Sequence, residues 1–274
     1  MPPFLPGRPV ADTRWRPTVL IRATLWLHGL TVALWVVYPM QWRWALAALV
    51  ANHLVLMLVG LWPRSQWMGP NWTRLPATAA ARHEIALTID DGPDPGVTPQ
   101  VLELLARHGV RATFFVIGAQ AERHPELCRD IVRAGHAVEN HTQRHRHNFA
   151  LMGLKGITQE LQAAQATLTA ITGQRPLFFR APAGFRNPFL DPVLSRLGLQ
   201  LVSWSVRGFD TRVGDAGQVT AKLLAGLRPG AILLLHDGNA ARTATSQPVI
   251  LEVLPALLDA AATRQLRFVT LRQV

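Results

Sequence analysis

The stretch EIALTIDDGPDPG, residues 84–96, decides the fold. An apolar, β-prone run ends on two adjacent carboxylates, Asp90 and Asp91, and a Gly-Pro turn follows at once. Such a run reads as a short buried strand that carries both acids to its C-terminal end. Side by side, the two repel each other unless a cation or a shared proton lies close. Further runs of the same kind follow: ATFFVI (112–117), HAVEN (136–140), LFFRA (177–181), LQLVSW (199–204), AILLLH (231–236) and RFVTL (267–271). Helical stretches such as TPQVLELLARHG, HPELCRDIVRAG and LKGITQELQAAQATLTAITG lie between most of them. About seven strands with intervening helices predict a parallel α/β domain over residues 84–274, with a barrel as one way of closing it.

Polar residues gather where these strands end. Asp90 and Asp91 follow the first, and HTQRH, with His141 and His145, follows the third. Arg180 opens RAPAG after the fourth, Asp210 comes shortly after the fifth, and His236 closes the sixth. In an α/β barrel, groups just past the C-terminal strand ends converge on one face. Two histidines four apart plus one carboxylate make a three-ligand site with an open position, as catalytic zinc requires. Cobalt, nickel and manganese also suit this donor set. A bound ion offsets the repulsion between the two acids: one ligates it, and the other is free to take a proton from water that the ion activates. His236 is then placed to protonate a leaving amine, which describes metal-assisted hydrolysis of an amide or ester. Blander readings exist for each cluster taken singly. DGPDPG is good turn chemistry, Arg180 would serve a surface ion pair, and His236 would serve as a satisfied core histidine. His147 competes with His145, which the spacing favours, and Asp215 competes with Asp210. His83, His108, His124 and His136 read as ordinary solvated or capping residues.

Taken together, these motifs resemble those of the polysaccharide deacetylase family, the chitooligosaccharide deacetylase-like enzymes of carbohydrate esterase family four. The resemblance spans roughly residues 84–274 and includes the family's motifs in order. TIDDGP resembles the first, which implies Asp90 as general base and Asp91 as metal ligand. HTQRH resembles the second, which implies His141 and His145 as the other ligands, with Thr142 buttressing the loop. RAPAG resembles the third, so Arg180 would orient Asp90, and the backbone N–H of Ala183 would help hold the oxyanion. Asp210 stands for the fourth, pairing with the acid histidine. LLHD resembles the fifth, implying His236 as general acid and Leu235 as a lining of the acyl pocket. The family fold is a distorted barrel. Two positions depart from the family pattern: Ala183 replaces an aromatic in the third motif, and Thr211 replaces a Trp in the fourth. Both changes remove aromatic walls from a sugar-polymer groove.

The first 83 residues are of another kind. Eight of the nine Trp precede residue 73, and eight Arg face a single acid, Asp12, up to Arg82. Residues 19–39 and 44–63 each approach the roughly 20 apolar residues that cross a bilayer as a helix, with MQWR between them. Trp and Tyr cluster at the segment ends, as in an interfacial belt. A spanning hairpin is preferred to a pair of interfacial helices, and His28, Asn52 and His53 read as polar contacts between its two arms. Arg8, Arg14, Arg16 and Arg22 precede or open the first segment, and Arg64, Arg74 and Arg82 follow the second. Against Arg43 in the turn, they put both ends in the cytoplasm of a bacterial-type inner membrane by the positive-inside rule. Residues 64–83, rich in Pro, Gly, Asn and Thr, read as a linker between the hairpin (1–63) and the catalytic domain (84–274). The basic excess, +11 overall, flanks the apolar segments and forms no stripe with interleaved aromatics, which argues against nucleic acid. With Cys128 alone, neither an intrachain disulfide nor a Cys-rich zinc site is expected.

The sequence therefore predicts a membrane-anchored hydrolase that uses one divalent ion, zinc first, to remove an N-acyl group, acetyl first, from a membrane-associated or lipid-linked amino sugar. Two other readings stand beside it: a hydrolase of another acyl group (formyl, longer, or an O-ester), and a catalytically silent, membrane-bound sugar-binding module.

Overall fold

A computed structural model of the chain describes residues 15–274. Arg8 and Arg14, used above for orientation, lie outside the described residues. Two helices open the structure, α1 (Val19–Val37) and α2 (Trp42–Gly60). A short helix α3 (Ala77–Ala81) precedes β1 (Glu84–Asp90). Then come α4 (Thr98–Arg107), β2 (Thr113–Val116), α5 (Gly118–Arg123), α6 (Pro125–Arg133), β3 (Ala137–Asn140) and α7 (Leu154–Thr172). The chain continues through β4 (Phe178–Phe179), α8 (Leu190–Leu197), β5 (Gln200–Leu201) and β6 (Val206–Arg207). It ends with α9 (Ala216–Ala225), β7 (Ile232–His236), α10 (Val249–Thr263) and β8 (Arg267–Phe268).

The strands are parallel and follow the order β5-β4-β3-β2-β1-β7-β6, with β8 beside the start of β1. They form a curled, distorted barrel, as the family resemblance implies, on the parallel α/β pattern that the alternation of strands and helices predicts. All seven residues of β1 are buried, as a strand covered on both faces requires. Its odd-numbered residues, Ile85, Leu87 and Ile89, join Leu233 and Leu235 of β7 in the core beneath the helices. Ala86 belongs instead to the inner cluster with Phe115, Ile232, Leu234 and Trp204. The two-residue period of a strand makes this division, and it also aims Asp90 and His236 inward.

One strand escapes the sequence reading. β6 is only two residues long, half-buried and carries an Arg, so it gives no apolar run. It matters for closure: the kinked chain from Gln200 to Arg207 pairs first with β4 and then with β7, joining the two edges.

The helices α1 and α2 are each long and apolar enough to cross a membrane, and most of their surface is exposed. Thr24 Oγ1 donates to Asn52 Oδ1 at 3.1 Å, and the His28 and His53 rings meet edge-on at 5.3 Å, as expected of polar contacts between the arms. The turn is tighter than expected, a single 3-10 turn at Pro39–Gln41, with Trp42 and Arg43 already helical.

Residues 64–83 are not a solvated linker. Met68, Leu75 and Ala79 are buried, and the latter two join the inner cluster beside Val202. The Trp72 N–H donates to Leu201 O at 2.9 Å and its carbonyl accepts from Ser203 N at 2.8 Å, so the segment covers the exposed edge of β5. Asn71 Nδ2 donates to Pro63 O and Ser65 O at 2.9 and 3.0 Å. The polar and turn-forming residues that suggested a tether are spent on these internal bonds.

Candidate active site

Strand register delivers the reactive groups to one end of the barrel. Asp90, the last residue of β1, is level with His236, the last of β7. Asn140, the last of β3, is level with Phe179, so His141 and Arg180 leave neighbouring strands together. The residues around Asp90, Asp91, His141, His145, Ala183 and His236 line one cleft of about 560 Å³.

Asp90 is fixed by Arg180. The guanidinium is 1% exposed, donating through Nη1 to Asp90 Oδ1 at 2.6 Å and to Thr88 Oγ1 at 2.8 Å. Its Nε and Nη2 donate to Val202 O and Ser203 O at 3.2 and 2.9 Å, and Phe115 lies against its face at 4.1 Å. A buried cation is tolerable when every edge is paired in this way. One oxygen of Asp90 is thereby held, while Oδ2 stays 3.9 Å from His141 Nε2.

Asp210, fully buried, holds His236 twice: Oδ2 accepts the backbone N–H at 2.7 Å and Oδ1 accepts from Nδ1 at 2.9 Å. A carboxylate acceptor puts a proton on Nδ1 and leaves Nε2 as the atom available to the cleft. Burial pushes the His236 pKa down, but the charge and hydrogen bond of Asp210, with Asp90 and Asp91 behind them, hold it above the ordinary histidine value. Asp215, the competing acid, only caps α9 by accepting from Gln218 N at 2.9 Å.

Asp91, His141 and His145 form a convergent trio, their ligand atoms all within 4.8 Å of one another. Asp91 Oδ1 lies 3.2 Å from Nε2 of each histidine, yet it is buried and has no hydrogen bond. His141 Nδ1 donates to Arg180 O at 2.8 Å, which turns the Nε2 lone pair toward Asp91. Burial raises the Asp91 pKa, but the close approach and charge of His141, with the charges of His236 and His145, override it and leave the carboxyl well below its usual range. Burial, helped by His141, pushes His145 down to about 4, so it is neutral at pH 7. Two imidazole lone pairs and an anionic oxygen left unsatisfied are the donor set of a divalent metal ion, and the trio fits one. His147 lines the cleft but stands outside the trio. The loops that carry these groups hold residues at unusual positive φ: Asp91 (74°), Thr142 (67°), His145 (47°) and Ala183 (53°). Such conformations cluster where geometry serves function. Thr142 steadies the histidine loop, its Oγ1 accepting from His145 N at 2.9 Å.

One expected lining residue is misplaced. Leu235 points into the core beneath the helices, and Leu234, one position earlier and on the face of His236, lines the cleft instead. His136 is also unlike its expected solvated state: it is buried, and Nδ1 accepts the Ala112 N–H at 3.1 Å.

Other residues of the site carried no sequence signal of their own. Thr88 supports Arg180, and its hydroxyl donates to Leu233 O at 2.6 Å. Asp237 is buried beside the site, accepting from Thr98 Oγ1 at 2.5 Å and Gly238 N at 3.0 Å. Burial, opposed by Thr98 and aided by the charge of Asp91, lifts its pKa to about 7. The turn chemistry of DGPDPG belongs to Asp94, whose Oδ1 accepts from Gly96 N at 2.7 Å. Trp204 and Arg207 complete the cleft wall.

A parallel barrel with paired acid and base groups and a convergent metal-type trio at its C-terminal strand ends defines a hydrolase-type site, and comparison with known proteins agrees. The polysaccharide deacetylase family profile matches residues 78–202. A chitooligosaccharide deacetylase of Bradyrhizobium sp. (strain ANU 289) is 37% identical over 186 residues, 66% of this chain and 85% of that one. A peptidoglycan-N-acetylglucosamine deacetylase of Bacillus cereus is 31% identical over 215 residues, 76% of this chain and 75% of its own length. The crystal structure of the Bc1960 peptidoglycan N-acetylglucosamine deacetylase superposes with a TM-score of 0.67 at 29% identity, covering 74% of this chain and 91% of that one. The chain belongs to the polysaccharide deacetylase family, carbohydrate esterase family four.

Proposed function

We propose that this chain hydrolyses the N-acyl group, acetyl first, of an amino sugar at a membrane surface. The observation that carries the reading is the meeting, in one cleft, of the Asp91, His141 and His145 trio with the Arg180–Asp90 and Asp210–His236 pairs. Bound by that trio, a divalent ion, zinc by its donor set and with cobalt, nickel or manganese also compatible, supplies Lewis acidity toward the acyl carbonyl and the attacking water. Asp90, oriented by Arg180, accepts the proton of the water as its oxygen attacks the acyl carbon. The backbone N–H of Ala183, at the cleft edge, donates to the oxyanion that develops. His236, protonated and held by Asp210, gives its Nε2 proton to the departing nitrogen. Amide and water become amine and carboxylate. The names of the Bradyrhizobium and Bacillus relatives support an acetylated glucosamine as the substrate unit.

The hairpin up to residue 63 is read as a membrane anchor and residues 84–274 as the catalytic unit, with residues 64–83 clamping the two together. Arg16 and Arg22 at one end, with Arg64 and Arg74 at the other, outnumber Arg43 in the turn, which favours a cytoplasmic catalytic unit and lipid-linked amino sugars. Acetate release from free, polymeric and lipid-linked N-acetyl amino sugars tests the reading, with detergent-purified protein assayed in zinc and in chelator. Zinc-dependent acetate is the expected result. Zinc-loaded protein that releases no acetate from any donor would overturn it.

A further inference from the structure

We propose that the amino sugar taken by this site carries a phosphoryl group, received by a rim of Arg123, Arg144, Arg207 and Arg212; the inference rests on the deacetylase reading above. All four side chains line the same cleft, and they come from different segments: the end of α5, the histidine loop, β6 and the loop after it. The only carboxylates in the lining are Asp90, committed to Arg180, and Asp91, committed to the trio. Among the described residues, none of the four rim arginines has a carboxylate within ion-pair distance. Several arginines elsewhere do have acidic partners: Arg82 and Arg267 pair with Glu84, Arg129 and Arg133 with Glu126, Arg146 with Glu160, and Arg272 with Glu139. Four arginines without a carboxylate at ion-pair distance thus share one cleft.

Arg207 is the best prepared of the four. Its guanidinium lies 5.3 Å from the Trp204 ring and 5.1 Å from that of Phe209, and its Nε is buried without a hydrogen bond. A guanidinium lodged beside two aromatic rings, with a donor unspent, suits a planar or tetrahedral oxyanion and bonds it more strongly than a neutral hydroxyl. Several guanidiniums around one opening also repel each other until an anion lies between them, and a phosphoryl group offers several oxygens to share. Ala183 and Thr211, both small, line the same cleft, and Thr211 sits beside Arg212 in the rim. The rim also adjoins the anchor. The carbonyl of Pro63 accepts from Ser203 Oγ at 2.6 Å, and Arg64 Nη1 donates to Ser205 O at 3.4 Å. A phosphoryl sugar can therefore arrive free in solution or attached to a lipid.

The full-length, zinc-loaded protein in detergent is titrated calorimetrically with N-acetylglucosamine, N-acetylglucosamine 1-phosphate, a polyprenyl-diphosphate-linked N-acetylglucosamine and a neutral chitooligomer, and acetate release is followed in parallel. Phosphorylated forms are expected to bind about tenfold or more tightly than neutral ones, and inorganic phosphate to compete with them. Arg207→Gln with Arg212→Gln is expected to weaken the phosphorylated forms at least about tenfold more than the neutral sugar. Arg212→Gln alone, at an exposed position that the fold does not need, is expected to lose part of that preference. A gain shared by the soluble and lipid-linked forms supports the rim with a free sugar phosphate as sufficient ligand; a gain confined to the lipid-linked form supports it with the membrane as source. Neutral sugars binding as tightly as phosphorylated ones, or an equal loss for all ligands in the variants, overturns the inference. Tight, arginine-dependent binding without acetate would leave the rim standing and remove the deacetylase reading instead.

Discussion

Arg180 keeps its charge in the middle of the protein because Asp90, Thr88 and two backbone carbonyls use its donors. The same logic governs the pair across the cleft, where Asp210 spends both oxygens on His236. In the proposed reaction the general acid enters protonated, and Asp210 raises the pKa of His236 despite its burial. Because the His236 pKa is raised, activity that depends on the protonated ring is present below that pKa and is lost as pH rises through it. Asp210→Asn removes the first stabilising charge, so the alkaline limb of the kcat profile should move to lower pH; a limb that stays in place would show that the pair does not set it. His236→Ala should lower kcat by about 10²–10⁴-fold with the metal still bound, as measured by turnover and metal content. These residues were legible in the sequence because polar groups at the ends of apolar strands are conspicuous. Thr88 and Asp237 were not, since a buried Thr within a strand and a second acid after His236 look the same whether they serve structure or chemistry.

Elements decide which side of the sheet a residue serves. The sequence places AILLLH as a strand, but a one-residue question of phase separates Leu234 in the cleft from Leu235 in the core, and an all-apolar run carries no alternation to settle it. Leu235→Ala should therefore cost about 2–5 kcal/mol in unfolding experiments and leave KM near its wild-type value. Leu234→Ala should act on the choice of acyl group, with longer acyl donors gaining rate relative to acetyl; no change in that ratio would remove Leu234 from the acyl wall. Strand β6 and residues 64–83 were illegible for a related reason. Both owe their structure to partners distant in sequence, β7 for the one and the edge of β5 for the other. Local composition gave only a gap and a loop.

At the scale of the molecule, the two-helix hairpin and the barrel are joined by close contact. Gly60 O accepts from Arg186 N at 3.1 Å, and a Cβ on Gly60 would stand 2.2 Å from Arg186 O. Arg186 follows the RAPAG turn that carries Ala183, so Gly60→Ala should disturb both stability and the cleft, seen as a lower Tm together with a raised KM. The barrel also carries an acid-sensitive element away from the site. Burial, aided by Arg111, depresses His136 from 6.5 to about 4. The folded protein thus refuses a proton that the unfolded chain accepts, so this contribution is complete above about 6.5 and is lost as pH falls toward 4. His136→Gln should flatten the fall in Tm over that interval, and an unchanged slope would assign the acid sensitivity to other groups.

The proposed reaction divides the labour between adjacent acids, with Asp91 holding the ion and Asp90 moving the proton. Metal stoichiometry and acetate release, measured side by side for wild type, Asp90→Asn and Asp91→Asn, test it most directly. One zinc per chain and acetate release are expected in the wild type, and one zinc with a rate reduced by about 10²–10⁴-fold in Asp90→Asn. Loss of both zinc and activity is expected in Asp91→Asn. Undiminished turnover in Asp90→Asn, or tight zinc retained by Asp91→Asn, would contradict it.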